Sequence, residues 1–476
     1  MRRWRWRWAP VADAVRAVPA APQLHDVLAC VRETARRLDV EVYLVGGFVR
    51  DRLLGTEGKD IDLLVVGEGA VPLLAALAQA FDWAPPQVFD HFGTAQVRGH
   101  GYIVEAVRAR AERYDPSSRK PDVTPGTLDE DLWRRDFTVN ALAQTLDGDL
   151  LDRTGRGLDD LYAGVLRTPL DPRDTFSEDP LRMYRAARFV AQLGFELADG
   201  VLHAMRDMAP RAAILSVERV AEELRRLLTS AHARAGMEVL RAGGLLDVHL
   251  PELLEMVGVE QSGYHVYDVW THTMVALDLA PRDLLVRVAV LLHDVGKPRT
   301  HAVAEDGRHT FYDHPDVGAR LARDILERLR FSNVEIAAVV ELVRHHLRPI
   351  QYDAAAFGDS AVRRLMRDVG EMRAPLLEVA RADTRASAFP DVAAIDELEE
   401  RMLRLEQAAG VTGAAFESPL DGEALMALAG RGPGRWVGAA KRALSDAVVE
   451  GAVAPGDEDA ARRWLEAHPE LLQADG

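Results

Sequence analysis

The sequence is poor in cysteine and lacks long apolar runs, and each gap excludes a class of protein. Cys30 is the only cysteine among 476 residues, so neither an internal disulfide nor a cysteine-based zinc site can form. No apolar stretch approaches the roughly 18 residues needed to cross a bilayer. The N-terminus, MRRWRWRW, carries positive charge with no apolar segment behind it, unlike a secretory signal. We therefore expect a cytoplasmic protein with no membrane partner.

The charge balance and the length of the chain exclude further classes of protein. The chain has 58 Lys+Arg against 75 Asp+Glu, a net charge of -17. This total argues against a protein that coats nucleic acid without specificity, although a local basic strip stays compatible with it. Hydrophobic residues at 48% and charged residues at 28% are typical of a globular protein. At roughly 150 residues per domain, the length favours about three domains.

The apolar pattern divides the chain into a mixed head and a helical remainder. Strand-like runs such as EVYLVGG, DIDLLVVG and GYIVEAV alternate with helical spacing up to about residue 170. Helical spacing then takes over. We predict an α+β fold with a mixed α/β head followed by all-α regions. The predicted boundaries are a flexible tail at 1–24, the head at 25–170, a helical neck and body at 171–261, a histidine-rich helical domain at 262–390 and a helical tail at 391–476.

A pair of aspartates is the first candidate site. Asp60 and Asp62 are two residues apart on a predicted strand, so both carboxylates share one face. Two carboxylates at this spacing repel each other, and a divalent cation between them would relieve the repulsion. Oxygen ligands suit Mg²⁺, which also binds phosphate oxygens. The alternative is a solvated Asp-x-Asp at a strand edge.

A double glycine precedes this pair. Gly46 and Gly47 would let the backbone approach a ligand closely. The helix that we expect to begin near Phe48 adds N–H donors and a positive dipole end, which together form an anion site. Arg50 on this helix is placed to reach a phosphate. The segment therefore predicts a phosphate-binding turn rather than a plain turn.

Five motifs resemble those of one enzyme family. VGGFVRDRLLG followed by DID is similar to the signature of class II tRNA nucleotidyltransferases and bacterial poly(A) polymerases. The family's later motifs are matched in order by RRDFTVNALA (134–143), DRTGRGLDDLYAGVLR (152–167), EDPLRMYRAARF (178–189) and SVERVAEELRRLL (216–228). The resemblance implies a head, neck, body and tail, with two Mg²⁺ ions at Asp60 and Asp62. It assigns the sugar and phosphates of the nucleotide to Arg135, Asp136 and Asn140.

Phosphoryl transfer to a 3′-hydroxyl suits such a site. One metal activates the attacking oxygen and another holds the leaving pyrophosphate. The protein mainly positions groups and neutralises charge. Glu105, in the strand YIVEAV, is a candidate third carboxylate, and the alternative is an exposed strand residue.

A second candidate site would read the base. Asp179 and Arg182 lie at i and i+3, which makes them neighbours on one helix face. Asp accepts and Arg donates, so the pair matches the amine and ring nitrogen of cytosine and adenine, and opposes uracil and guanine. It would admit CTP and ATP, although alone it would be an ordinary surface ion pair. The resemblance implies the same selection by Glu178, Asp179 and Arg182, and Arg185 is placed to extend the contact to phosphate or tRNA.

A polar segment separates the strand of Glu105 from the RRDFTVNALA motif. It reads AERYDPSSRKPDVTPGTLDEDLW, and the simple interpretation is a surface loop. In the resembled family, enzymes that add the terminal A carry a flexible loop here, and enzymes that add only CC have it shortened or missing. The segment therefore favours a full CCA adder or an A adder over a CC-only enzyme.

Histidines and aspartates on predicted helices form the third candidate site. His293 and Asp294 end a helix whose earlier turns are apolar, and burying them is costly unless a metal compensates. Imidazole with carboxylate suits a divalent transition metal, with Zn, Mn, Ni and Co all open. The ordered set resembles the HD metal-dependent phosphohydrolase superfamily and implies these metal ligands: His272, His293, Asp294 and Asp383. Lys297 is a candidate phosphate contact, and the remaining histidines of this region are candidates for a second metal or for phosphate: His314, His345 and His346.

Together these features predict a template-independent nucleotidyltransferase that builds or repairs the CCA end of tRNA from CTP and ATP, fused to an HD phosphohydrolase. The HD activity implied is hydrolysis of cyclic nucleotide phosphodiesters or of phosphomonoesters. An A-adding enzyme or a poly(A) polymerase is the closest alternative. A hydrolase with a non-catalytic, RNA-binding head is the second. The sequence leaves the oligomeric state and the role of the Arg/Trp N-terminus open.

Overall fold

The computed structural model describes residues 22–56, 58–89, 93–113, 122–262, 266–409 and 416–473. Most of the predicted N-terminal tail and the middle of the predicted loop, residues 114–121, lie outside these ranges. The described chain forms two compact units, which divide between residues 178 and 179. In its described part, no helix has the length and apolar character needed to cross a membrane.

A seven-stranded sheet organises the first unit. Its strand order is β3-β4-β5-β2-β1-β8-β9, in which β2 and β5 are parallel and the other recorded pairings are antiparallel. β6 and β7 form a separate pair at the ends of the segment 114–121. The strands are β1 (Glu41–Val45), β2 (Asp60–Val66), β3 (Gln87–Phe89), β4 (Thr94–Gly99), β5 (Tyr102–Arg108), β6 (Arg110–Arg113), β7 (Asp122–Pro125), β8 (Leu142–Thr145), β9 (Leu150–Asp152) and β10 (Val165–Leu166).

Two expected local features occur in this unit, the period-two strand of the aspartate pair and the helix after the double glycine. On β2, the buried Ile61 and Leu63 alternate with Asp60 and Asp62, as the period of two requires. The helix expected near Phe48 begins two residues earlier, at the double glycine. The helices are α1 (Leu24–Leu38), α2 (Gly46–Leu53), α3 (Ala70–Phe81), α4 (Leu128–Trp133), α5 (Gly157–Ala163) and α6 (Pro172–Glu178).

The second unit is almost entirely helical, which together with the sheet of the first confirms the predicted α+β class. Short strands occur at β11 (Glu196–Leu197), β12 (Ala302–Val303) and β13 (His309–Thr310). The finer domain boundaries remain predictions. The helices are α7 (Leu181–Leu193), α8 (Val201–Met208), α9 (Val217–Leu228), α10 (Ala233–Ala242), α11 (Leu246–His249), α12 (Pro251–Leu254), α13 (Val269–Leu279), α14 (Leu284–Leu292), α15 (Lys297–Thr300), α16 (His314–Arg328), α17 (Asn333–His345), α18 (Leu347–Ile350), α19 (Asp359–Val369), α20 (Arg373–Arg385), α21 (Ala393–Ala409), α22 (Gly422–Ala429), α23 (Arg435–Glu450), α24 (Glu458–Glu466) and α25 (Glu470–Gln473).

Arginine side chains link the helices of the second unit. Arg188 of α7 is 2.5 Å from Glu223 of α9, and both side chains are buried. Arg287 of α14 donates to the carbonyl oxygen of Leu228 at the end of α9, 2.7 Å away. The buried ion pair fixes α7 against α9, and the arginine caps the last turn of α9 from the helix that leads to His293.

Candidate active sites

The aspartate pair lies at the start of β2, the middle strand of the sheet. Ile61 between the two aspartates is 1% exposed and faces the core, so Asp60 and Asp62 share the opposite face. The parallel register of β2 and β5 pairs Asp62 with Glu105. Side chains at paired positions project from the same face of a sheet. The two strands therefore present three carboxylates on one face.

The turn before α2 shapes the surroundings of Asp62. Gly46 has a φ of +66°, and a Cβ atom added there would lie 3.1 Å from Arg135 Nη1 and 3.3 Å from Asp62 Oδ2. Both the conformation and the space favour glycine at this position. The backbone N–H of Phe48 acts to lower the pKa of the Asp62 carboxyl. The glycine turn thus brings a helix N-terminus, an arginine and a carboxylate together.

The three carboxylates fit a hard divalent cation. Burial raises the pKa of Asp62 to about 6, Arg135 opposes the rise, and the charges of Glu105 and Asp60 add to it. Burial also raises the pKa of Glu105. A cation would stabilise the crowded, ionised carboxylates. Because every donor is an oxygen, the set suits Mg²⁺.

Arg135 is held at this site by a residue that the sequence interpretation did not single out. Its Nε and Nη2 atoms lie 3.3 and 3.0 Å from Oδ2 of Asp131, and Nη1 is 3.2 Å from the carbonyl oxygen of Asn140. Asp131 is fully buried. The signal in the sequence is an aspartate at a core position of α4, where Leu128 and Leu132 are also buried.

A second network surrounds Arg50. Its Nη1 donates to Asn140 Oδ1 at 2.6 Å and its Nε to Asp51 Oδ1 at 2.8 Å, and Asn140 Nδ2 donates to Asp136 Oδ1 at 3.0 Å. A Cβ atom on Gly47 would lie 3.6 Å from Arg50 Nη2. Arg50 was expected to reach a phosphate. In the structure its guanidinium is buried against Asn140 and Asp51, and it orders one predicted nucleotide-binding residue, Asn140, which in turn bonds to another, Asp136.

Asp179 precedes α7 instead of lying on it. The helix begins at Leu181 with Pro180 as its N-cap residue. Asp179 Oδ1 accepts from the Leu181 N–H at 3.1 Å, and Oδ2 is 3.0 Å from Arg219 Nη2. The expectation that Asp179 lies on the same helix as Arg182 is therefore wrong, because Asp179 stands just before its first turn. Aspartate and proline both favour helix starts, because one accepts an orphan N–H and the other lacks one.

The other predicted base-reading residues occupy different positions. Arg182 lies in the first turn of α7, where it is 7% exposed and its backbone N–H donates to the Asp179 carbonyl oxygen. The Arg185 guanidinium is 5.5 Å from the centre of the Phe189 ring. Glu178 is the last residue of α6, in the first unit. Their joint action on a base remains a prediction.

Six buried side chains of the second unit form two groups that could each hold a metal ion. They come from α13, α16 and α20 and from the ends of α14 and α17. Within each group the ligand atoms lie within 4.8 Å of one another. The first group is His272, His293 and Asp383, and the second is Asp294, His314 and His346.

Asp294 connects the two groups. Its Oδ2 is 3.2 Å from His293 Nε2 and its Oδ1 is 3.4 Å from His314 Nε2. In the first group, His272 Nε2 is 2.9 Å from Asp383 Oδ1. One carboxylate thus faces histidines of both groups, so two adjacent cations could share it.

Backbone carbonyls fix the orientation of the histidine rings. Because a carbonyl oxygen only accepts, each Nδ1 that bonds to one carries the hydrogen, and Nε2 of the neutral ring keeps its lone pair for a cation. Three histidines bond in this way to the carbonyl three residues earlier: His293 to Val290 (2.7 Å), His314 to Phe311 (2.8 Å) and His346 to Val343 (2.6 Å).

Lys297 and His345, which were also predicted to take part in this site, belong to neither of the two ligand groups. Lys297 Nζ is 2.7 Å from Asp294 Oδ2 and 2.6 Å from Gln261 Oε1, so in the structure it neutralises a carboxylate. His345 Nε2 is 3.3 Å from Glu341 and belongs to neither group. Of the two adjacent histidines at the end of α17, only His346 points its ring into a ligand group.

The electrostatics of this centre also favour a cation. Burial alone would lower the pKa of His293, but Asp294 and Asp383 raise it to about 9. Burial lowers the pKa of His346 to about 3, so this ring is neutral. The two carboxylates therefore favour positive charge at this position, which a bound divalent cation would supply. The donor set of imidazoles and carboxylates fits a divalent transition metal.

Three family models match the chain in sequence order. The Poly A polymerase head domain matches residues 42–167. The probable RNA and SrmB-binding site of polymerase A matches residues 194–256. The HD domain matches residues 263–387, which contain the two histidine and aspartate groups.

Curated relatives align along nearly the whole chain. An A-adding tRNA nucleotidyltransferase of Deinococcus radiodurans is 37% identical over 447 residues, which cover 90% of this chain and 96% of that protein. The chain belongs to the tRNA nucleotidyltransferase/poly(A) polymerase family. A multifunctional CCA protein of Nitrosococcus oceani is 36% identical over 407 residues, which cover 81% of this chain and 95% of that protein.

Solved structures share the fold of this family member. The CCA-adding enzyme of Bacillus stearothermophilus in complex with CTP matches with a TM-score of 0.66 and 23% identity, covering 95% of this chain and 99% of that one. A tRNA nucleotidyltransferase complexed with a primer tRNA and an incoming ATP analog matches with a TM-score of 0.51 and 22% identity, covering 79% and 99%. The family resemblance drawn from five motifs is confirmed, and the chain is a nucleotidyltransferase that carries an HD domain.

Proposed function

We propose that the protein adds CMP and AMP from CTP and ATP to the 3′ end of tRNA, without a nucleic acid template. The observation that carries the proposal is the face of the sheet where Asp60, Asp62 and Glu105 lie together beside Arg135. Three oxygen donors and one arginine match the needs of a metal-bound triphosphate. The name of one aligned relative, an A-adding tRNA nucleotidyltransferase, supports the same substrate.

In the proposed reaction the tRNA 3′-oxygen attacks the α-phosphorus of the nucleotide. A new phosphodiester bond forms, the bond to the β-phosphate breaks, and pyrophosphate leaves. Asp60 and Asp62 would hold two Mg²⁺ ions, which stabilise the attacking and leaving oxygens when bound. Arg135 neutralises charge on the triphosphate, and Asn140, ordered by Arg50 and Asp136, orients the sugar.

Base selection in this proposal belongs to Asp179 and Arg182. Asp179 is fixed by the Leu181 N–H and by Arg219, so its carboxylate has a defined direction. A carboxylate acceptor paired with an arginine donor complements the Watson–Crick edge of cytosine and adenine. The same pair meets uracil and guanine with matching polarity, which disfavours UTP and GTP.

The proposal leaves two possibilities for which nucleotides the protein adds. The aligned relatives carry the names A-adding tRNA nucleotidyltransferase and multifunctional CCA protein, and the polar segment 111–133 favours an enzyme that adds the terminal A. We propose full CCA addition and repair as the activity, with A-only addition or poly(A) synthesis as the alternative. A purely RNA-binding head is disfavoured by the three carboxylates on one face of its sheet, which would bind cations in our proposal.

We also propose a metal-dependent phosphohydrolase activity for the HD domain. It is favoured by the two adjacent ligand groups that share Asp294, with each Nε2 turned inward. His272, His293, Asp294 and Asp383 would hold a transition metal, which supplies Lewis acidity for phosphate-ester hydrolysis when bound. Lys297, whose Nζ lies 2.7 Å from Asp294 Oδ2, would contact the phosphate of the substrate. The expected substrates are cyclic nucleotide phosphodiesters and phosphomonoesters.

One experiment tests the proposed transfer activity. The full-length protein is incubated with Mg²⁺, one labelled nucleoside triphosphate at a time, and tRNA that ends at the discriminator base, at C or at CC. Full CCA addition predicts incorporation of C on the first two ends and of A on the third. Incorporation of A alone on the CC end indicates the A-adding version, and long A tails indicate poly(A) synthesis. No incorporation on any end would contradict the proposal.

A further inference from the structure

Asp131 is a charged residue in a core position. In α4, Leu128, Asp131 and Leu132 are the buried residues, and Asp131 has no exposed surface. Thr127 and Glu130 form a capping box that fixes the start of the helix. An ionised carboxylate is costly to bury unless it is paired, so this position must bind strong partners.

Two consecutive arginines provide those partners. Arg134 Nε lies 3.1 Å from Asp131 Oδ1, and Arg135 Nη2 lies 3.0 Å from Asp131 Oδ2. Although burial raises the pKa of the Asp131 carboxyl, Arg135 and Arg134 outweigh it and leave the pKa below its usual value. One negative charge between two arginines leaves a net positive charge in the cluster.

The position of Arg135 links this cluster to the carboxylates of the sheet. Arg135 is the largest charge partner that lowers the pKa of Asp62, and the glycine turn at Gly46 lies against both side chains. Asp131 and the Asn140 carbonyl oxygen occupy three of the five N–H groups of Arg135. Within the described residues, two donors are left for an anionic ligand, and the bonds that the other three make orient the guanidinium.

Arg134 ties the same carboxylate to strand β6. Its Nε also donates to the carbonyl oxygen of Arg110, 3.1 Å away. Gly126, just before α4, packs so closely that a Cβ atom would lie 2.5 Å from the Ala111 nitrogen. The start of β6, the start of α4 and Arg135 are thus joined around Asp131.

We propose that Asp131 is a positioning residue for nucleotidyl transfer, which holds the Arg135 guanidinium beside Asp62 in the direction that meets the triphosphate. The inference rests on the proposed function. Without the carboxylate, Arg135 loses its bonds from Nε and Nη2 and turns toward the Asp60 and Asp62 carboxylates. The arginine then competes for these carboxylates with the cation instead of neutralising the substrate.

The test compares Asp131→Asn with Asp129→Asn in the full-length protein. Asn keeps the volume of Asp131 and removes its charge. Asp129 lies on the same helix, but it is exposed and pairs with Arg153 at the surface. We expect kcat for CTP addition to fall roughly ten- to hundredfold in Asp131→Asn, because small misplacements of charged groups have effects of this size. The KM for tRNA should stay within about threefold, and Asp129→Asn should behave as wild type.

A double-mutant cycle separates positioning from a general loss of structure. If Asp131 acts through Arg135, Asp131→Asn combined with Arg135→Ala is no slower than Arg135→Ala alone. HD hydrolysis by the same samples reports whether the remainder of the protein is intact. If Asp131→Asn does not fold, Asp131→Glu keeps the charge but displaces the carboxylate by one methylene, and the same cycle applies.

Two outcomes overturn the inference. One is wild-type kcat in Asp131→Asn. The other is a double variant whose kcat is lower than that of Arg135→Ala by the factor that Asp131→Asn alone causes. Failure of the proposed function would look different, because wild-type protein would then add no nucleotide to tRNA and the cycle would have no starting rate.

Discussion

Asp62 on β2 and Glu105 on β5 are paired in register on adjacent parallel strands. The two carboxylates are 43 positions apart in the sequence, yet each contributes to the electrostatics of the same site, where Glu105 raises the pKa of Asp62. This pairing completes the carboxylate set on which nucleotide addition depends in our proposal.

Proton and cation should compete for Asp62. Because its pKa is raised to about 6, the carboxyl is protonated below that pH and ionised above it. We expect CTP addition at limiting Mg²⁺ to fall as the pH drops from 7.5 through about 6, and higher Mg²⁺ to move the inflection to lower pH. The measurement is the initial rate against pH at two Mg²⁺ concentrations. An inflection that does not move with Mg²⁺ would contradict this assignment.

Two adjacent histidines should differ in the HD domain. His346 belongs to a ligand group, whereas His345 pairs with Glu341. We expect His346→Ala to lower the bound transition metal and the rate of phosphate-ester hydrolysis at least tenfold, and His345→Ala to change both by less than about twofold. Elemental analysis and a hydrolysis assay measure the two effects. Nucleotide addition serves as the folding control. Equal effects of the two substitutions would contradict the assignment of His346 as a metal ligand.

Removal of the Asp179 charge should relax base selection. The amide of Asp179→Asn both donates and accepts, so it no longer opposes the carbonyl of uracil. We expect the ratio of kcat/KM for CTP over UTP to fall at least about tenfold, the size associated with loss of a paired base contact. Asp174→Asn, on the exposed side of α6, is the control. If Asp179→Asn keeps the wild-type ratio of kcat/KM for CTP over UTP, Asp179 does not read the base.

The neighbouring glutamates of α9 should contribute unequally to stability. Glu223 forms a buried pair with Arg188, whereas Glu222 pairs with Arg226 at the surface. We expect Glu223→Gln to destabilise the second unit by roughly 3 kcal/mol, because it removes the negative charge from a buried ion pair. Glu222→Gln should cost about 0.5 kcal/mol or less. Denaturant titration measures both, and similar values would argue against a structural role for the buried pair.

Local patterns were sufficient for the part of the first site that lies on one strand. The period of two placed Asp60 and Asp62 on the same face, and the structure has that arrangement. The register that brings in Glu105 depends on a pairing between distant strands, which no local pattern encodes. Asp131 did leave a local signal, since it interrupts an apolar stripe in α4, but its partners are set by the tertiary fold.

Boundaries and side-chain directions were harder to predict. The spacing of Asp179 and Arg182 fits a helix face, but Pro180 sets the start of α7 after the aspartate. The apolar turns of α14 correctly indicated burial of His293 and Asp294. For His345 and His346, which are adjacent at a helix end, the spacing could not say which ring turns inward. That choice depends on the packing of α17 against α14 and α20.

The most direct measurement is nucleotide addition by Asp60→Asn. Asn keeps the size of Asp60 but removes a charge from the face where the cations are proposed to bind. The protein is assayed with Mg²⁺, labelled CTP and tRNA that ends at the discriminator base, beside wild type and with HD hydrolysis as the control for folding. Our account predicts loss of addition by at least about a thousandfold with hydrolysis unchanged, since catalysis depends on the bound metals. Addition at the wild-type rate would contradict it.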